Sequence, residues 1–280
     1  MPGVVAGRSE RRECSLRRSA RNGDPCESSP GATLASVGPM QPRQQTVRIP
    51  RWAQGRPGFG QGGWSSAQFA AVIGEPVTID LRSGVPLEED LAVLELDGGW
   101  ELRHGDTVIM AARPRDVEFA TVQPVSIADA VVARSGFDLD ADSHNAPDCF
   151  SCGVRERTMR MHPGPVQGGE PRVASDWTPP SWVGDDDGVV DEAVVWTVMD
   201  CAQGFFVGRI PERRSALTVR YAAEVLAPVR VGRTYAVVGG PGHWPDGWDG
   251  RKRGAAAVVL AEDGTVVARA DSLWVAPRES

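Results

Sequence analysis

VDEAVVWTVMDCAQGFF, Val190–Phe206, reads as a long apolar helix whose residues nearly all ask to be buried. Asp191 stands where an N-cap would, with Glu192 favourable in the first turn. Asp200 stands in the middle with no charged neighbour. An unpaired buried carboxylate costs several kcal/mol even after the protein relaxes around it, so this acid needs a reason.

Downstream of this helix come ALTVRYAAEVLAPVRVG, RTYAVVGG, RKRGAAAVVLAEDG and TVVARADSLWVAP, short β-branched runs punctuated by Gly, Pro and Asp. They read as antiparallel strands. Upstream the same pattern occurs once more. GQGGWSSAQFAAVIG, from Gly60, reads as a short buried helix after a glycine turn, closed by Gly74. VTIDLRSGVPL, DLAVLEL, WELRHG and DTVIMAARPRDVEF then read as strands, and SIADAVVARSG as a second short helix. VTIDLRSGVPL answers LTVRYAAEVLAPV, and LRHGDTVIMAARPRDVEF answers LAEDGTVVARADSLWV. Each half is one apolar helix followed by an antiparallel meander. A period of roughly 130 residues is too long for a solenoid and suggests duplication of a small domain. The resulting division is a tail over 1–45, a first half over 46–137, a linker or folded-back loop over 138–172, and a second half over 173–280.

The 280 residues are 41% hydrophobic and 24% charged, an ordinary globular balance. A net charge of −7 leaves no nucleic-acid footprint across the chain as a whole. No apolar stretch reaches the ~18 residues that span a membrane. Cys14, Cys26, Cys149, Cys152 and Cys201 are too few and scattered for a disulfide scaffold, which favours a reducing cytoplasm. Residues 1–39 are rich in Arg, Ser, Gly and Pro, without periodicity or an apolar signal region. They read as disordered, with Met40 as a candidate start.

These elements carry a family resemblance. A buried helix wrapped by an antiparallel sheet resembles the hotdog fold. CFSCGVRERTMRMHPG at 149–164 resembles the Cys-x-x-Cys-Gly lead-in of thioesterase-superfamily hotdog proteins, and LTVRYAAEVLAPVRVG with GRKRGAAAVVLAEDGTVVARA resembles their strand series. Two such halves over about 46–278 resemble the double-hotdog acyl-CoA thioesterases, so the expected fold is α+β, a double hotdog. The resemblance implies a catalytic helix starting His-Gly-Gly with an acid nine residues after the His. Here Gln61-Gly62-Gly63 keeps the glycines, with Gln for His, and Ala70 stands where the acid would be. The second helix starts Asp191-Glu192-Ala193 and has the acid, Asp200. In the family, glycine start and acid come from opposite partners. One complete site per chain is therefore expected, built from Gly62, Gly63 and Asp200.

The activity this implies is acyl-thioester hydrolysis, on acyl-CoA or an acyl-carrier thioester, with no cofactor. N–H groups at a helix start stabilise an oxyanion, and an acid in an apolar pocket has its pKa raised and becomes a better base. Gln203, one turn after Asp200, and Thr218, on the next strand, are candidates to hold the water or the acid. Gln61, Trp64 and Trp196 are candidates to line the acyl pocket, and Arg251, Lys252 and Arg253 to meet coenzyme A phosphates. Each has a plainer alternative. Asp200 holds the helices in register, Gln203 and Thr218 satisfy buried partners, the tryptophans are core, and the basic cluster is a solvated strand end. A hotdog hydratase or dehydratase, or an acyl-CoA or lipid-binding module without turnover, are the rival functions. A homo-oligomer is compatible with the sequence. His144, Cys149 and Cys152 have spacings that begin a zinc site with His162 as fourth ligand, but no second Cys-x-x-Cys follows, and a packed loop of reduced thiols is preferred. Cys201 has no nearby His to make it a nucleophile. Gly58–Gly63 matches GxGxxG, yet the polar, Pro-broken segment before it is no buried parallel strand.

Overall fold

The computed structural model describes residues 45–116, 118–138, 140, 142, 144–209, 216–243 and 251–276. The chain divides into 1–42 and 43–280, and every described residue belongs to the second unit. The expectations for residues 1–39 and Met40 lie outside the described residues.

The elements in chain order are β1 (Gln45–Arg48), α1 (Gly62–Ile73), β2 (Val77–Leu81), β3 (Asp90–Leu96), β4 (Gly99–His104), β5 (Thr107–Pro114) and α2 (Ile127–Arg134). They continue with β6 (Gly164–Pro165), β7 (Val173–Trp177), α3 (Glu192–Arg209), β8 (Leu217–Val225), β9 (Tyr235–Gly240), β10 (Lys252–Leu260) and β11 (Val266–Val275). Among the described residues all the strands join one antiparallel sheet, in the order β1-β3-β4-β5-β2-β8-β11-β10-β9-β7-β6. Outward from the central β2–β8 pair, the two sides repeat one order of connection. The strand after the helix comes first, then the meander in reverse, then the strand before the helix.

Local chemistry explains the helix limits. Gln61 Oε1 accepts from Trp64 N at 2.7 Å and caps α1. Gly74, at φ +79°, ends it with its N–H on Ala70 O; only glycine takes that left-handed turn without strain. Asp191 Oδ1 accepts from Ala193 N at 2.8 Å and caps α3. Helix α3 buries Val194, Val195, Val198, Met199, Ala202 and Phe206, and lies between α1 and the strands of the second half. β10 is buried on both faces, because α2 and the segment around Val122 and Val125 cover the side turned away from α3.

Three strands escape the sequence reading. β1 is four residues of mixed polarity, β6 is two, and β7 (VASDW) lacks a clean alternation. Tertiary pairing makes them strands, not local preference. Within 144–172, Phe150 and Met161 are part of the main core, and Phe150 N donates to Gln54 O at 2.7 Å.

Candidate active site

Helices α1 and α3 touch where glycine permits it. A Cβ on Gly63 would stand 2.6 Å from Trp196 O and 2.9 Å from Asp200 Cβ, and one on Gly62 would stand 3.1 Å from Asp200 Oδ2. Only a glycine start lets α1 approach the middle of α3 this closely. The approach brings together the acid of one helix and the N-terminus of the other, although 137 residues separate Gly63 from Asp200.

The Asp200 carboxylate takes three hydrogen bonds. Oδ2 accepts from Gln61 Nε2 at 2.6 Å and from Gly63 N at 3.1 Å, and Oδ1 accepts from Thr218 Oγ1 at 2.9 Å. The side chain is buried in the interior, with only 5% of the residue exposed. Burial pushes its pKa up, from 3.8 to about 6. The donors from Thr218, Gly63 and Gln61 hold back part of that rise by stabilising the charged form. Asp200 is thus a carboxylate that exchanges its proton near neutrality, aimed at a helix N-terminus whose partial positive charge favours anions.

The other sequence-expected residues divide. Gln61 joins the site, but as the cap of α1 and a donor to Asp200. Thr218 joins as expected of a donor to the acid. Gln203 is turned away: its Nε2 donates to Ala255 O of β10 at 3.3 Å. Trp64 packs edge-on against Trp52 and Phe150, with ring centroids 4.7 and 5.4 Å away. Trp196 packs edge-on against Tyr221 at 5.7 Å and lines a different cleft. Side chains on a helix lean toward its N-terminus, so Trp196, one turn before Asp200, points away from the acid. The basic cluster splits, because Arg251 and Lys252 stand at the exposed end of β10 while Arg253 is already inside a strand buried on both faces. Arg251 and Lys252 are exposed at the start of β10, Arg251 donating to Ala276 O at 2.8 Å. Arg253 is buried, its guanidinium 4.5 Å from the centroid of the Phe206 ring.

The cleft that Trp196 lines holds about 300 Å³ and lies where the repeat would put a second site. Ala67, Ala70, Asp191, Ala193 and Val225 are among its walls. Ala70 stands at the position that matches Asp200 in the repeat, and the Asp191 side chain already occupies the start of α3. Thr78, at the repeat position of Thr218, is fully buried and its Oγ1 has no partner among the described residues.

Sequence reasoning missed the sulfur cluster beside the acid. Cys149, Cys152 and Cys201 bring their Sγ atoms within 4.8 Å of one another, and Gln61 Nε2 is 3.9 Å from Cys201 Sγ. The third thiol comes from α3, and no histidine joins this group. His162 Nε2 instead lies 3.2 Å from Gly153 O, its ring stacked on Phe137, and His144 Nδ1 accepts from Ala146 N at 3.0 Å. The signal available was the single Cys201 beside Asp200.

No protein-family model matches the sequence, and no curated protein matches it either. Solved structures do. A protein of unknown function with a hot dog fold from Alicyclobacillus acidocaldarius is 12% identical over 86% of this chain and 96% of its own, with a TM-score of 0.54. The tesB protein of Mycobacterium avium subs paratuberculosis is 13% identical over 84% of this chain and 96% of its own, with a TM-score of 0.52. These likenesses show the fold: the chain is an α+β protein of the hotdog type. Among the described residues no helix is long and apolar enough to cross a membrane.

Proposed function

We propose that this protein is a double-hotdog acyl-thioester hydrolase, acting on acyl-CoA at one site per chain. Residues 46–137 and 173–280 are its two hotdog halves, and 138–172 connects them. The observation that carries the reading is the Asp200 carboxylate, buried, with a pKa near 6, hydrogen-bonded to Gln61 and Gly63 at the start of the opposite helix.

The chemistry follows from that geometry. Asp200, ionised above about pH 6, takes a proton from water as the oxygen adds to the thioester carbonyl. Gly63 N–H is committed to the carboxylate, so it positions the base. Gly62 N–H has no partner among the described residues and is the donor for the developing oxyanion, with the α1 dipole behind it. Gln61 and Thr218 hold the carboxylate in place. Collapse of the tetrahedral intermediate expels the thiolate, which takes up the proton, leaving a carboxylic acid and a free thiol. Arg251 and Lys252 are the exposed cations available for coenzyme A phosphates. A cytoplasmic location goes with this reading.

The test is thiol release from a panel of acyl-CoAs of different chain length, with wild type and Asp200→Asn. Wild-type turnover that the folded variant loses is the expected result. Tight acyl-CoA binding without turnover by the wild type would make this a binding module and end the hydrolase reading. Turnover of an enoyl-CoA to a hydroxyacyl-CoA, without thiol release, would assign it to the hydratases.

A further inference from the structure

Outside the proposed acid machinery, the strongest unassigned feature is the group of three buried thiols. Cys149 and Cys152 come from the turn after Pro147, Cys201 from the middle of α3, and 52 residues separate Cys149 from Cys201. The turn is tightly built. Cys149 N donates to Ala146 O at 3.0 Å and Gly153 N to Cys149 O at 2.8 Å. A Cβ on Gly153 would stand 2.4 Å from Cys149 O, so the residue after the second cysteine must be glycine. The adjacent Cys152 and Cys201 side chains and the backbone N–H groups of Cys152 and Ser151 lower the Cys149 pKa well below its usual value. Thr158 Oγ1 donates to Gly153 O at 2.8 Å, and Met161 N to Ser151 O at 2.9 Å, pinning the turn from behind. From the other side the Gln61 amide points at Cys201 Sγ. The donors around Cys149 favour a thiolate there, while the neighbouring Cys149 sulfur and burial push the Cys152 and Cys201 thiols up, so a bound metal has to draw off their protons.

The spacing suits one shared ion. Thiolates bound to one zinc at about 2.3 Å stand about 3.8 Å apart at the tetrahedral angle. Cys149 and Cys201 Sγ are 3.9 Å apart, and all three sulfurs lie within 4.8 Å. A disulfide would join two of them at about 2 Å and strand the third.

We propose that Cys149, Cys152 and Cys201 bind one zinc ion. Three thiolates fill three of its positions, each losing its proton to solvent as the metal binds. Among the described residues no fourth protein ligand joins the group, and water takes the remaining position. The ion clamps the 144–164 segment to α3 one residue from Asp200. This proposal rests on the sulfur geometry alone and stands or falls separately from the hydrolase reading.

The test uses the full chain in a Cys14→Ser, Cys26→Ser background, reduced and then dialysed against zinc. One tightly held zinc per chain is expected, with a thiolate-to-metal charge-transfer band when cobalt replaces it. Cys201→Ser should weaken zinc binding by more than about 100-fold, beyond the 10–100-fold typical of a residue that only supports a ligand. Zinc should raise the Tm of the parent but not of that variant. Should Cys201→Ser fail to fold, alkylation of the parent decides: zinc must protect three thiols. Well under one zinc per folded chain would overturn the proposal. So would equal alkylation with and without zinc, or a Cys149–Cys152 disulfide in the purified protein.

Discussion

Replacing Asp200 by Asn tests through pH whether this buried carboxyl carries the raised pKa that its proposed role as a base requires. The amide keeps the shape and satisfies the same partners. Its oxygen accepts from Gln61 Nε2 and Gly63 N, and its NH2 turns to Thr218 Oγ1. What it removes is the cost of ionising a buried group. A pKa raised from 3.8 to about 6 means the folded state holds that proton more tightly than the unfolded chain. Below both values there is no penalty. As pH rises between them the wild type loses stability, and above about 6 the whole cost is present. That cost is about 3 kcal/mol, at about 1.4 kcal/mol per tenfold. Asp200→Asn should therefore gain about 2 kcal/mol on wild type between about pH 4.5 and pH 8, as the titration midpoint dictates. Urea unfolding of both proteins at the two pH values measures it, with the slope on denaturant held common. Hydrolysis should fall by about 10²–10⁴-fold in the same variant. A stability difference that does not move with pH would refute the reasoning, because Asp200 would then titrate alike folded and unfolded.

The wild-type kcat/KM should fall as pH drops through about 6, since the ionised carboxylate is the base. Thr218→Val removes a donor to the charged form and should move that acid limb to higher pH, read from the same profile. Gly63→Ala forces a methyl against Trp196 O and should cost about 1–3 kcal/mol, measured by urea unfolding, together with turnover. Asp80→Arg faces Arg220 and Arg113, now 2.6 and 3.5 Å from Asp80, and should cost at least about 1 kcal/mol. Adding Arg220→Asp should return part of it, with Arg113 still opposed, a coupling that a double-mutant cycle measures.

What the sequence shows and what it hides follow from the range of the interactions. α3 is legible because an apolar run needs burial wherever it sits, and α1 because Gly62-Gly63 and Gly74 bound it locally. Thr218 is legible because it begins the strand after the acid's helix. Trp196 and Gln203 take their plainer alternatives, because helical spacing gives a face, not a direction: the tryptophan leans back toward the start of α3 and packs on Tyr221, and the glutamine reaches Ala255 O of β10. β7 is hidden because VASDW becomes a strand only by pairing with β9. The cysteine cluster is hidden because Cys149 and Cys201 meet only once the 144–164 segment has folded back onto α3, a path no local pattern encodes.

The asymmetry between the halves has a physical logic. At the centre of the sheet Asp80 pairs with Arg220, and the overlay of VTIDL on LTVRY makes these two residues equivalents of one another. Two copies of either half alone would set Asp against Asp, or Arg against Arg, at that position. Joined in one chain, the halves carry opposite charges there and favour each other. On the proposed double-hotdog reading, once each half has a fixed partner the two equivalent positions between them are free to diverge. One keeps Asp200 with Thr218 as its donor. In the other, Ala70 leaves the buried Thr78 hydroxyl unpartnered among the described residues, and Asp191 fills the helix start that a carbonyl oxygen would need. Ala70→Asp would face Asp191 and Glu192 across that cleft and would not create a second site of the proposed kind, because the α3 N-terminus already has its anion.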